Sequence, residues 1–129
     1  MNIVAHQPHF LPWLGYFNKL ANADMYVVQD NVQFRKRYFQ NRTRIRGQNS
    51  DCLWLTVPVH ATRDSMISDV QAHGRWKNKL LRTISYVYKK APHFDRYYSG
   101  IEEVVLSSDG CICALNIALL KKISAWLEI

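Results

Sequence analysis

Two histidines, His6 and His9, stand in the segment AHQPHFLPWLGYF near the start of this 129-residue chain. Imidazole titrates near neutral pH, so either ring can serve as general acid or base, or can donate to charge developing on a phosphate or acyl group. Spacing alone also allows His6 to be a satisfied strand-end residue and His9 an exposed loop residue. A second segment, QDNVQFRKRYFQNRTRIR, holds six of the chain's 17 basic residues between Arg35 and Arg46. Its basic side chains, Arg35, Lys36, Arg42 and Arg44 among them, alternate with amides such as Asn41 and with aromatics. Arginine presents a planar fork to phosphate or carboxylate, amides read sugar hydroxyls or base edges, and Tyr or Phe can stack. That combination suits an anionic small molecule such as a nucleotide sugar, and it also suits single-stranded RNA. A solvated hairpin with no specific ligand is the third reading. Asp30 lies just beyond a run of β-formers, where its carboxylate could orient a histidine, hold a divalent cation or steady the arginine cluster.

These residues need elements to position them. Asn2 to His6 reads as a first strand, Gln7 to Pro12 as its exit loop, and WLGYFNKLANA as a short helix with apolar residues at helical spacing. Asp24 to Asp30 reads as a second strand parallel to the first, which completes a βαβ unit and brings Asp30 to the same carboxyl edge as His6. Ligands bind at such edges, because helix N-termini and loop amides converge there. Leu53 to Val59 reads as a further buried strand with Pro58 at an end or edge, and Ser68 to His73 as a short one. From Trp76 onward the periodicity is helical: one helix stops at Pro92, and Asp95 to Leu106 and Ala114 to Leu127 are two more, divided by Ser107-Ser108-Asp109-Gly110. Trp54, Trp76 and Trp126 fall in apolar-periodic segments and are expected in the core, and His60, His73 and His93 have no spacing that marks a site. The expected class is α/β, with a short, mainly parallel sheet in a βαβ-type front half and a helical rear half, all in one domain.

With 48% apolar and 21% charged residues the chain has the composition of a packed protein. Its longest apolar runs fall short of the roughly 20 residues that span a bilayer, and the N-terminus lacks the pattern of a secretory signal, so no membrane span and a cytoplasmic location are expected. The three cysteines, two of them in a C-x-C, read as reduced thiols rather than metal ligands, and no metal site or cofactor is derived. The net charge of +7 points to anionic partners. The apolar face around Trp126 suggests homo-oligomer contacts through the C-terminal helices. P-loop, GxGxxG, GxSxG and HExxH patterns do not occur, which removes the enzyme classes they mark.

The run HQPHFLPWLGYFNKLANADMYVVQDNVQFRKRYFQNRTRI, followed by WLTVPV and later by RWKNKLLRTISYVYKKAPHF, resembles the WbqC-like proteins, a bacterial family associated with surface-polysaccharide biosynthesis. The resemblance implies a transferase-type enzyme of O-antigen or capsule assembly, acting on a nucleotide-linked or otherwise activated sugar, with acyl or aminoacyl transfer to an amino sugar as one form. It gives most weight to His6, Gln7, Asp30, Lys36, Asn41 and Arg42, with His6 and Asp30 in the catalytic roles. It also implies that these residues form the N-terminal part of a protein about twice as long. A more distant similarity to nucleotidyltransferases of the HIGH type extends to element order only, since Leu14-Gly15-Tyr16 replaces that motif's histidines flanking a glycine pair.

Overall fold

A computed structural model describes residues 1–47 and 49–129. The first strand, β1 (Ile3–His6), and the second, β2 (Met25–Val28), are parallel, in register from Ile3 opposite Met25 to His6 opposite Val28. Helix α1 (Leu14–Ala21) makes the crossover, so the expected βαβ unit is present. A two-stranded sheet has little stability of its own. This one is held from below: Tyr16 and Phe17 on α1 are buried against Leu120 and Ile123 of the last helix, α4 (Ile112–Leu127), with Tyr26 of β2 beside them.

The main core lies next to this unit. Strands β3 (Arg42–Arg46) and β4 (Cys52–Thr56) form an antiparallel hairpin. Alternation sends Ile45 and Leu55 inward, while Arg44, Arg46 and Trp54 stay exposed. The expected strand over Leu53 to Val59 is broken at Pro58, which lacks the N–H a continuous ladder needs. Its second piece, β5 (Val59–His60), pairs antiparallel with β6 (Gln71–Ala72), and a single 3-10 turn at Ile67–Asp69 precedes β6. Helices α2 (Trp76–Tyr88), α3 (Phe94–Ser107) and α4 form the helical rear and close over Ile45, Leu55, Val57 and Ile67. The three cysteines are free, and burial pushes the Cys113 thiol up to about 11.

Two of the three tryptophans expected in the core are placed differently. Trp76 is buried, but Trp54 is 47% exposed because it projects from the outer face of the hairpin. Trp126 is half-buried and lies over Gly100 of α3, where an added Cβ would come within 2.5 Å of the indole. Among the described residues, no helix is long and apolar enough to cross a membrane.

Candidate functional site

The loop leaving β1 bends at Phe10 and Leu11, the latter at φ 42°, and sets the His9 ring against that of His6. His6 is half-buried at the carboxyl end of β1, and His9 is only 1% exposed. The rings meet edge to face with centroids 4.7 Å apart. Around them stand Trp13, Tyr16, Tyr38 and Phe39, so the mouth is an aromatic box. Gly15 is what lets Trp13 fold inward: a side chain there would come within 2.5 Å of the indole nitrogen. A cleft of about 150 Å³ opens here, lined by Ala5, His6, Gln7, His9, Gln29 and Tyr38. Larger hollows of about 430 and 490 Å³ lie between α3 and α4 and beside Trp76, but neither adjoins the histidine pair.

The hydrogen bonds give the two histidines different chemistry. His6 Nδ1 lies 3.0 Å from the Gln7 carbonyl oxygen. A carbonyl oxygen only accepts, so Nδ1 carries the proton, and in the neutral ring Nε2 presents a lone pair. The same carbonyl accepts from the Tyr16 hydroxyl at 2.7 Å, and Tyr16 accepts in turn from Tyr26. Burial holds both phenols above the ordinary tyrosine range. Among the described residues His9 has no hydrogen-bond partner at either ring nitrogen. Burial first, then the nearby charges of His6 and Lys19, lower it from 6.5 to about 4, so it is a neutral imidazole at physiological pH.

A chain of amides connects this mouth to the basic segment. Gln7 Oε1 accepts from Gln40 Nε2 at 2.9 Å, and Gln40 Oε1 accepts from the Arg35 backbone N–H at 2.7 Å. Gln40 is fully buried, and its own carbonyl accepts from Asn116 Nδ2 of α4 at 2.7 Å. Asn116 also donates to the Pro8 carbonyl at 2.9 Å. One buried amide of the last helix therefore fixes both segments that sequence reading singles out.

The proposed site residues fall into separate groups. His6, Gln7 and His9 share the cleft, with Arg35 placed over the Tyr38 ring at 4.6 Å. Lys36 and Asn41 line a different hollow with His60. Arg42 lies 3.9 Å over the Trp54 ring and donates to the Arg37 carbonyl, while Arg44 is 5.8 Å from the same ring. Asp30 is exposed just past β2 and makes no hydrogen bond or ion pair among the described residues; the partner that orients His6 is the Gln7 carbonyl. Among the described residues no group of three or more His, Cys, Asp or Glu side chains is placed to hold a metal ion. Sequence reading did not single out Tyr16, Tyr38, Gln40 or Asn116. Tyrosine is ordinary in a half-buried segment, while the burial of Gln40 and Asn116 is unusual for amides and follows only from the fold. His60 and His73 were set aside for lack of spacing, yet they stack at 3.9 Å because β5 and β6 pair.

Over residues 7–129 the chain matches the model of the WbqC-like protein family. A curated relative from Mycobacterium tuberculosis (strain ATCC 25618 / H37Rv), named uncharacterized protein Rv1507c, is 28% identical over 131 residues, covering 95% of this chain and 54% of the relative. The chain thus spans about half the length of that relative. No solved structure matches.

Proposed function

The chain belongs to the WbqC-like protein family, and from that membership and the histidine mouth we propose that it is part of a cytoplasmic transferase acting on a nucleotide-linked or otherwise activated sugar. A role related to polysaccharide biosynthesis fits the family at this coarse level, and the acyl or aminoacyl form of the transfer is the finer part of the proposal. The observation that carries it is the His6 tautomer. With Nδ1 committed to the Gln7 carbonyl, Nε2 is left as a base that can take a proton from an acceptor hydroxyl or amine as it attacks the activated carbon or phosphorus. His9 stays neutral beside it and offers a ring nitrogen for a hydrogen bond rather than a charge. The nearby basic segment supplies cations for the anionic part of the substrate.

A second reading is favoured by one observation, the exposed Trp54 with Arg42 and Arg44 against its face. An exposed aromatic with cations beside it is a platform on which a base can stack, as in a non-catalytic RNA- or nucleotide-binding module. Thermal-shift titration at low and moderate salt separates the two. A nucleotide sugar that binds only the folded chain raises Tm by mass action, and RNA bound through phosphates loses its effect steeply with salt. Stabilisation by RNA alone turns the assignment to the binding module. In a longer protein that contains this chain, His6→Ala is expected to slow turnover by about 10² to 10⁴, and unchanged turnover would overturn the role given to His6.

A further inference from the structure

The sheet of β1 and β2 has two unlike faces. By their register, Val4, His6, Tyr26 and Val28 share one face and are half-buried, while Ile3, Ala5, Met25 and Val27 share the other and are exposed. Helix α1 lies on the first, where Tyr16 and Phe17 pack with Tyr26. The second is left open: Ile3 is 54% exposed, Met25 49% and Val27 42%.

That exposure does not suit strands of this kind. Antiparallel sheets commonly leave one face to water and alternate polar residues along it, whereas parallel strands are covered on both faces and read as continuous apolar runs. The strands here spell IVAH and MYVV, apolar on both faces. Their composition is that of strands covered twice, and the fold covers them once. Each strand also keeps one edge unpaired among the described residues, since the sheet contains only these two. The three rear helices are engaged elsewhere, with the main core and with α1.

The occupant follows from size and charge. The match covers 54% of the curated relative, which therefore has nearly as many residues again outside it. Three half-exposed side chains offer only a few hundred Å², well below the roughly 800 Å² per partner of a stable complex. A second copy with the same net charge of +7 adds repulsion. A segment of the same chain needs no such area, because tethering holds it at a local concentration of about millimolar. We propose that in the longer proteins of this family the face formed by Ile3, Ala5, Met25 and Val27 is covered by the apolar side of a helix from the residues outside the match. That helix gives the sheet the second layer it lacks. The inference concerns packing and does not rest on the transferase reading, so the outcome for His6→Ala leaves it standing.

The test is the rate at which a maleimide labels Val27→Cys, in this chain and in a longer protein that contains it, read by peptide mass against the exposed Cys52. Cysteine is a small apolar replacement for valine, so folding is retained. In this chain the introduced thiol is expected to label about as fast as Cys52. In the longer protein it is expected to label at least about tenfold more slowly relative to Cys52, because thiol reactivity follows exposure. Val27→Lys is expected to leave the Tm of this chain within about 2 °C, as a surface substitution does, and to lower that of the longer protein by about 5 °C or more, since the ammonium is buried without a partner. If that variant of the longer protein fails to fold, the labelling rates decide. Equal relative labelling in the two proteins, or an unchanged Tm for Val27→Lys in the longer one, would overturn the proposal. So would a dimer of this chain that Val27→Lys dissociates, which would assign the face to a second copy.

Discussion

Asn116 donates to the Gln40 carbonyl across 76 residues of sequence, at 2.7 Å, and both side chains are fully buried. The same Nδ2 reaches the Pro8 carbonyl. The last helix is thereby locked to the loop carrying His9 and to the segment carrying Asn41. Replacing Asn116 by leucine leaves two buried carbonyls without a donor, at roughly 1 to 3 kcal/mol each, so a loss of about 2 to 6 kcal/mol is expected. Asn116→Asp is expected to be at least as damaging, because a carboxylate faces both carbonyls with no hydrogen to give. Urea unfolding monitored by circular dichroism measures both, and a loss under about 1 kcal/mol in either variant would show that the latch contributes little.

The depressed His9 makes stability depend on pH in a defined window. Its folded value of about 4 lies below the ordinary 6.5, so the unfolded chain binds a proton more readily over that interval. Stability from this group is fully present above about pH 6.5 and is lost as pH falls toward 4. Between pH 7 and pH 5 the loss amounts to about 2 kcal/mol. His9→Phe, which keeps an aromatic ring in the box, is expected to flatten that slope. Denaturation midpoints at the two pH values in both proteins decide it, and parallel slopes would mean that some other group titrates.

Much of the fold was legible because it rests on periodicity and on turn residues. The βαβ front and the three rear helices follow from patterns local to each segment, whereas the strand expected through Val59 divides at Pro58 into two that pair with different partners. Trp54 was misplaced for a physical reason: LWLTVPV is apolar on both faces, so its pattern does not tell a doubly buried strand from a hairpin strand with one side covered by Arg42 and Arg44. Trp126 is half-buried because Gly100, a poor helix former in the middle of α3, admits its ring, and the glycine alone does not announce that partner. At the site, His6, Gln7 and His9 were close in sequence and remain close in space. Lys36, Asn41 and Arg42 were also close in sequence, yet the chain turns between residues 36 and 41, with Arg37 at φ 57°, before β3 begins, and the structure distributes them between a hollow and a hairpin face.

Arg42 offers a test of brace against ligand contact. Its guanidinium lies over Trp54 at 3.9 Å and donates to the Arg37 carbonyl, a pair of contacts that an ammonium does not make together. Arg42→Lys is expected to cost about 1 to 2 kcal/mol of stability despite keeping the charge. A double-mutant cycle with Trp54→Leu is expected to return a coupling of about 0.5 to 1 kcal/mol. Thermal melts of the four proteins suffice. A neutral Arg42→Lys substitution with no coupling would return Arg42 to the role of a free cation.

The proton position on His6 can be measured without any substrate. Nitrogen-15 spectra of the imidazole rings at a pH where His6 is neutral are expected to show Nδ1 protonated and Nε2 bare, since Nδ1 faces the Gln7 carbonyl at 3.0 Å. Tyr16→Phe removes the other donor to that carbonyl and leaves Tyr26 only the longer bond to the His6 carbonyl at 3.5 Å, so stability is expected to fall by about 1 kcal/mol while the His6 tautomer persists. A ring protonated at Nε2 would place two acceptors face to face at Gln7 and force the imidazole to turn. The lone pair would then point away from the cleft, and His6 would have no means of taking a proton from an acceptor bound there.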